Sequence, residues 1–199
     1  DTLFVIVGGG DMERQLMDKM LSKVSIIICH WQGDLVDKCL KSLEKVKAEK
    51  TVVSSSVEKY NSFPYDKKVK DFVFTWRNEP SYKRNFGIRA FLEVNKYLCF
   101  MDDDVEIKYD CIKRMEDYLD THKDVGMVYA MLYKMDNHNK IDTSGSFLTW
   151  CGFLYETYIP RIFPIPILSG KSALCIIRKD LFNQVGRFDE DFVIYGEET

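Results

Sequence analysis

Residues 97–105 read Tyr97-Leu98-Cys99-Phe100-Met101-Asp102-Asp103-Asp104-Val105, an unbroken apolar run that meets three carboxylates. The apolar run predicts a buried strand. Three adjacent Asp side chains repel one another where a core strand ends, and a divalent cation offsets that repulsion. Hard cations such as Mg²⁺ and Mn²⁺ prefer carboxylate oxygen. In an open α/β sheet, ligands bind beyond the carboxyl ends of the strands, so the run predicts a metal-and-phosphate corner. The alternative for the same residues is a solvated acidic turn, with an Asp capping the helix that starts near Tyr109.

Outward from this corner, strands alternate with helices. Val24–Cys29 is a β-branched strand. Asp34 caps a helix with Leu35, Cys39, Leu43 and Val46 on one face. Thr51–Val53 is a strand ending at Ser54, and Asp71–Trp76 is strand-like. A helix follows Pro80 from Ser81 to Asn95. Ile112, Met115 and Leu119 mark an amphipathic helix, and Val125–Met131 is a further strand. This alternation predicts a parallel sheet with right-handed crossovers. The second half changes character. Ile141–Tyr158 is rich in β-formers and aromatics, Pro160, Pro164 and Pro166 stiffen an apolar loop, Leu174–Ile177 is a strand, and Gly186 ends a helix over Lys179–Val185. Thr2–Val7 reads as a buried strand, Gly8–Gly10 as a turn, and Met12–Leu21 as a helix behind Asp11. The dinucleotide fingerprint fails there, because Glu13 occupies the place of its third Gly.

The 199 residues are 46% hydrophobic, which suffices for one domain with a sizeable core. The net charge of -3 gives no basic footprint for nucleic acid. Six Cys form no CxxC pair and sit mostly in apolar stretches. Such usage fits a reduced, cytoplasmic setting, with attachment at the membrane periphery as a variant of it. No apolar run approaches the ~20 residues of a membrane span.

Five stretches occur in order: Val24-Ser25-Ile26-Ile27-Ile28, Arg84-Asn85-Phe86-Gly87-Ile88, Asp102–Asp104, Ser169-Gly170, and Val185-Gly186-Arg187-Phe188-Asp189-Glu190 with Tyr195-Gly196-Glu197-Glu198. Together they resemble glycosyltransferase family 2, from about Lys23 to Thr199. Residues 1–22 resemble, over about two elements, a strand–Gly–helix segment of glycosyltransferase family 4. They are expected to form a strand-helix extension, a remnant of a preceding domain, ahead of a C-terminally truncated domain over 23–199.

The resemblance implies the GT-A fold, an α/β Rossmann-like, mostly parallel sheet with helices on both faces. It also implies transfer of a sugar from a nucleotide donor to a glycan or lipid-linked acceptor, with inversion at the anomeric carbon. A Mn²⁺ or Mg²⁺ ion on the acidic corner would neutralise the departing diphosphate, and a carboxylate would act as general base. The family pattern assigns Asp102 and Asp104 to the metal, with Asp104 the direct ligand, and Asp103 to the ribose. It places Cys29, His30 and Trp31 around the base, Arg84 near the nucleotide or its phosphates, and Gly170 with Ser169 beside the cleft. Glu197 and Glu198 form the catalytic pair, with the base second.

Two departures stand out. Ser54 replaces an Asp that reads the base in many members, and Glu197-Glu198 replaces a Glu-Asp pair. Trp150 is a candidate aromatic platform for the acceptor, while Trp76 reads as core or rim. Two other functions compete. A nucleotidyltransferase should carry a Gly-rich, basic loop after its first strand, which Cys29-His30-Trp31-Gln32-Gly33-Asp34 lacks. A non-catalytic nucleotide- or glycan-binding module is the other.

Overall fold

The structure, a computed structural model, describes residues 2–6, 22–31, 33–56, 69, 71–89, 91 and 95–192. The expected Gly8–Gly10 turn, the helix over 12–21 and the pair Glu197-Glu198 lie outside these residues.

The strands are β1 (Thr2–Ile6), β2 (Val24–His30), β3 (Glu49–Ser54), β4 (Asp71–Phe74), β5 (Tyr97–Asp102), β6 (Val125–Ala130), β7 (Leu132–Lys134), β8 (Asn137–Thr143), β9 (Ser146–Leu148), β10 (Leu154–Glu156), β11 (Pro166–Ile167) and β12 (Leu174–Arg178). The helices are α1 (Leu35–Ser42), α2 (Pro80–Ile88), α3 (Cys111–Thr121) and α4 (Lys179–Val185). Eight strands form one sheet in the order β11-β1-β6-β12-β5-β2-β3-β4. Pairing is parallel between β1 and β6 and throughout β5-β2-β3-β4. The mostly parallel sheet expected from the alternation is therefore present. Two strands depart from it: β12 lies antiparallel between β5 and β6, and β11 pairs antiparallel with β1 at the edge. Two small hairpins, β7-β8 and β9-β10, stand outside the main sheet.

Alternation along the central strands sends side chains into two separate cores. Val24, Ile26, Ile28, Cys99 and Met101 pack with Val36, Cys39 and Leu43 of the α1 segment and with Ile112, Met115 and Leu119 of α3. Ile27, Leu98 and Phe100 pack on the other face with Phe86 and Ile88 of α2 and Phe182 of α4. Helices thus cover both faces, and the sheet core is fully buried, as its near-continuous apolar strands require.

Two helix readings need correction. In α1 the buried residues are Val36 and Cys39, while Leu35 is exposed and lines the cleft described below. The helix after Pro80 ends at Ile88 rather than Asn95. Phe91 then donates its N–H back to the Ile88 carbonyl and the chain turns toward β5.

Gly87 explains how closely α2 sits on the sheet. A Cβ at this position would lie 2.5 Å from Ile27 Cγ2 and 2.8 Å from Val53 Cγ2. Both are branched core side chains of β2 and β3, which cannot swing aside. Gly87→Ala is expected to lower stability by about 1–2 kcal/mol, because overpacking of about 1–3 kcal/mol exceeds the gain in helix propensity of up to ~1 kcal/mol. Urea unfolding should show a lower midpoint at unchanged slope. An unchanged or higher midpoint would mean that α2 is free to slide.

Candidate active site

The site is built where three parallel strands end level. Cys29 of β2 is in register with Asp102 of β5, and His30 of β2 with Ser54 of β3. The Asp103 N–H donates to the Cys29 carbonyl at 3.2 Å, so the acidic turn folds over the end of β2. Beyond these ends opens a cleft of about 1920 Å³. Its walls include Cys29, Trp31, Arg84, the three aspartates and, on the far side, Gly170. The sequence-predicted corner and Trp31 therefore face one space.

The three aspartates have different surroundings. Asp102 Oδ1 accepts from Arg84 Nη2 at 3.2 Å, with Asp102 about one-third exposed and Arg84 buried. Burial pushes the Asp102 carboxyl above its usual range, Arg84 opposes this, and Asp104 and Asp103 add to the rise. Asp103 is buried. Its Oδ2 accepts the Trp31 N–H at 2.9 Å and lies 3.7 Å from His30 Nε2. Burial also pushes its carboxyl up, with the Trp31 N–H acting the other way. This carboxylate is turned onto the backbone of β2's exit, so its visible work is to fix Trp31. Asp104 is exposed, and no described residue pairs with it.

His30 and Ser54 do not line the cleft among the described residues. Both are fully buried, with His30 Nδ1 2.7 Å from Ser54 Oγ and Nε2 3.1 Å from the Gly33 carbonyl. A carbonyl can only accept, so Nε2 carries a proton toward Gly33, and Nδ1 shares its hydrogen bond with the Ser54 hydroxyl. Ser54 Oγ in turn accepts the Ser56 N–H at 3.0 Å. The pair ties the ends of β2 and β3 together beneath Trp31.

Lys83 was not legible as a site residue in the sequence. It is buried on α2, yet it borders the cleft. Its Nζ donates to the His30 carbonyl at 2.7 Å and to Asn78 Oδ1 at 2.6 Å, and it stands 5.2 Å from the Trp31 ring centroid. Burial lowers the pKa of this ammonium. The one signal available beforehand was its place next to Arg84 in the Arg84–Ile88 stretch. Asn85 also has a structural task there. Its Nδ2 donates to the Phe188 carbonyl at 2.8 Å and to Glu190 Oε1 at 3.0 Å, and its Oδ1 accepts the Phe188 N–H at 3.1 Å. Two of the five sequence stretches are thereby clamped together, with the Phe188 ring edge-on to Phe100 and 5.3 Å from the Arg84 guanidinium. Gly170 has a packing reason, since a Cβ there would meet the Tyr129 ring at 2.5 Å.

Trp150 is almost wholly exposed and lies off the cleft wall, and Trp76 is exposed rather than core. No group of three or more His, Cys, Asp or Glu among the described residues is arranged to hold a metal. Of the carboxylates that border the cleft, Asp102 and Asp104 are the two on the acidic turn that are not turned onto the end of β2 as Asp103 is. Two carboxylates on a crowded acidic turn fit Mg²⁺ or Mn²⁺, which bind through one or two carboxylates and take their other ligands from water and substrate phosphates. A cation there would also relieve the charge crowding that raises Asp102. Among the described residues no helix is long and apolar enough to cross a membrane.

The sequence profile of glycosyl transferase family 2 matches residues 25–186. No curated protein sequence matches the chain. Among solved structures, S. aureus TarS residues 1–349 superpose with a TM-score of 0.58 at 17% identity, over 88% of this chain and 53% of that one. GalNAc-T7, crystallised with UDP, GalNAc and Mn²⁺, gives 0.65 at 13% identity, over 95% of this chain and 42% of that one. A CMP:2-keto-3-deoxy-manno-octonic acid synthetase complexed with CTP gives 0.50 at 8% identity, over 88% and 82%. The chain thus spans about half the length of the two glycosyltransferase-type structures.

Proposed function

Because the chain belongs to glycosyltransferase family 2 and has the GT-A fold of its structural neighbours, we propose that it transfers a sugar from a nucleoside-diphosphate donor to an acceptor hydroxyl, with inversion and with a divalent cation. The observation that carries this reading is the meeting of Asp102, Asp104 and Trp31 on one cleft beyond level strand ends. At about 1920 Å³ the cleft exceeds the roughly 300–1,000 Å³ of a single-ligand pocket and offers room for donor and acceptor together.

In this reading Trp31 stacks on the nucleobase. Its backbone is held by Asp103 and its ring by the Lys83 ammonium, so the platform is rigid before the donor arrives. Cys29 contributes apolar wall. His30 and Ser54 act from below, through the backbone they fix. Asp102 and Asp104 hold the cation, which when bound supplies charge neutralisation for the departing diphosphate. Arg84 hydrogen-bonds Asp102 and opposes the rise that burial imposes on its carboxyl. Gly170, whose missing side chain lets β12's approach pack on Tyr129, closes the opposite wall. Glu198, with Glu197 beside it, is assigned the proton of the attacking hydroxyl.

The nucleotidyltransferase alternative has a fold-level neighbour, but the family match and the absence of a Gly-rich basic loop after β2 favour sugar transfer. The direct test is a thermal-shift screen of UDP, GDP, CDP and their triphosphates, each with and without Mn²⁺. One nucleoside diphosphate is expected to raise the melting temperature, with a larger shift when Mn²⁺ is present, because binding to the native state alone stabilises it. A response to triphosphates alone would select the nucleotidyltransferase reading. Binding without donor hydrolysis or transfer would select the non-catalytic module.

A further inference from the structure

The loop between β4 and α2 carries one polar side chain that the mechanism above leaves unused. Asn78 borders the cleft, as do Trp31 and Lys83. The backbone around it is tied down. The Thr75 N–H donates to the Ser54 carbonyl at 2.8 Å, and the Arg77 N–H donates to Thr75 Oγ1 at 3.2 Å. The Arg77 guanidinium reaches Glu79 at 3.4 Å and Glu190 at 3.2 Å. Glu79 is extended, the conformation that Pro80 favours in the residue before it.

The orientation of the amide is fixed by its neighbours. Lys83 Nζ lies 2.6 Å from Asn78 Oδ1. An ammonium can only donate, so the oxygen of the amide, and not its nitrogen, faces Lys83. The Ser55 hydroxyl donates to the same oxygen at 2.5 Å. Both lone pairs of Oδ1 are thereby used. The NH₂ group has no partner among the described residues, and it can only donate. Lys83 is itself committed, since it also donates to the His30 carbonyl and its ammonium lies 5.2 Å from the Trp31 ring centroid. One ammonium thus links the aromatic face to the amide. Together they offer a planar ring a surface to stack on and an oriented N–H donor.

Nucleobases divide by what they present to such a donor. Uracil carries the carbonyl O4 where cytosine has an amino group, and guanine carries O6 where adenine has an amino group. A carbonyl accepts from the amide NH₂. An amino group meets it donor to donor, and both groups are left unpaired. On the reading that the cleft takes a nucleoside diphosphate with its base on Trp31, we propose that Asn78 selects the base, donating from Nδ2 to the exocyclic carbonyl of uracil or guanine and rejecting cytosine and adenine. Ser54, buried against His30, takes no part in that selection.

The test is titration calorimetry of the 199-residue chain with Mn²⁺ present, comparing UDP with CDP and GDP with ADP. The diphosphate the parent prefers is expected to be UDP or GDP. It should bind about tenfold or more tightly than its amino counterpart, the effect of leaving one polar group unpaired. Asn78→Asp replaces the NH₂ by an oxygen and keeps the oxygen that Lys83 and Ser55 hold. It should reverse the preference, because the new oxygen accepts from the amino group of cytosine or adenine. The added negative charge acts on all four diphosphates alike, so the ratio within each pair is the readout. A residue that merely supported Lys83 would leave that ratio unchanged. Asn78→Ala should bring the two members of the preferred pair to within about threefold, and it serves if Asn78→Asp fails to fold. The role of Asn78 is overturned if the parent binds CDP or ADP as tightly as the keto counterpart, or if Asn78→Asp keeps the parent's ratio. The nucleotide reading of the cleft survives both results. If the parent binds none of the four diphosphates, that reading falls, and the role of Asn78 falls with it.

Discussion

Asp104→Ala is expected to abolish the Mn²⁺ dependence of nucleoside-diphosphate binding and to lower sugar transfer by at least about 100-fold. A Lewis-acid cation contributes several kcal/mol to stabilising a departing charge, and each 1.36 kcal/mol is a factor of ten in rate. Asp104 is the appropriate target because it is the exposed aspartate of the three and has no described partner. Removing it should leave the fold unchanged, within the ±0.5 kcal/mol usual for surface substitutions. Asp102 and Asp103 would give less interpretable results. Changing Asp102 leaves the buried Arg84 without its carboxylate, and changing Asp103 releases the Trp31 backbone. Titration calorimetry with the best nucleotide, with and without Mn²⁺, measures the effect. If Asp104→Ala keeps the parent's Mn²⁺-dependent affinity, the acidic corner is a solvated turn and the metal assignment fails.

The second large effect concerns the base. Glu198→Gln, in a protein shown to transfer sugar, should bind donor and Mn²⁺ normally and turn over about 10²–10⁴-fold more slowly, the usual contribution of a general base. A fall in kcat with donor binding preserved is the signature of an interaction made in the transition state. If Glu197→Gln is inactive and Glu198→Gln is near normal, the role moves by one residue. If both retain activity, the pair leaves the mechanism. What supports the assignment is the family pattern together with the clamp on the run before it. Asn85 grips Phe188 and Glu190, and Arg77 Nη1 donates to Glu190 Oε2 at 3.2 Å.

The tertiary structure also sorts the candidate nucleotide residues into those that border the cleft and those buried behind it. Cys29, Trp31, Arg84, Asp102, Asp103, Asp104 and Gly170 all border one cleft. His30 and Ser54 are buried against each other. Ser54 at the third strand end thus has a local partner that explains it without reference to the base. The hydroxyl hydrogen-bonds a buried imidazole, and buried polar groups need such partners.

Much of this protein is determined by sequence alone. Continuous β-branched and apolar runs at Val24–Cys29 and Tyr97–Met101 can only be buried on both faces, so a parallel, helix-covered sheet follows from them. Ile112, Met115 and Leu119 at helical spacing fix the inner face of α3. Three carboxylates at the end of a core strand mark the candidate metal corner, whatever surrounds them. Other features depend on contacts between residues far apart in the chain, and no local pattern encodes these. The antiparallel insertion of β12 between β5 and β6 is decided by the route of the preceding hairpins. An apolar run such as Leu174–Ile177 reads the same in either direction. The burial of Lys83 depends on acceptors at His30 and Asn78, without which an ammonium at that place would face water. Exposure is likewise decided by packing: hydropathy predicts that Trp150, Ile162 and Phe163 prefer to be buried, and only the folded chain shows that they lie exposed on it.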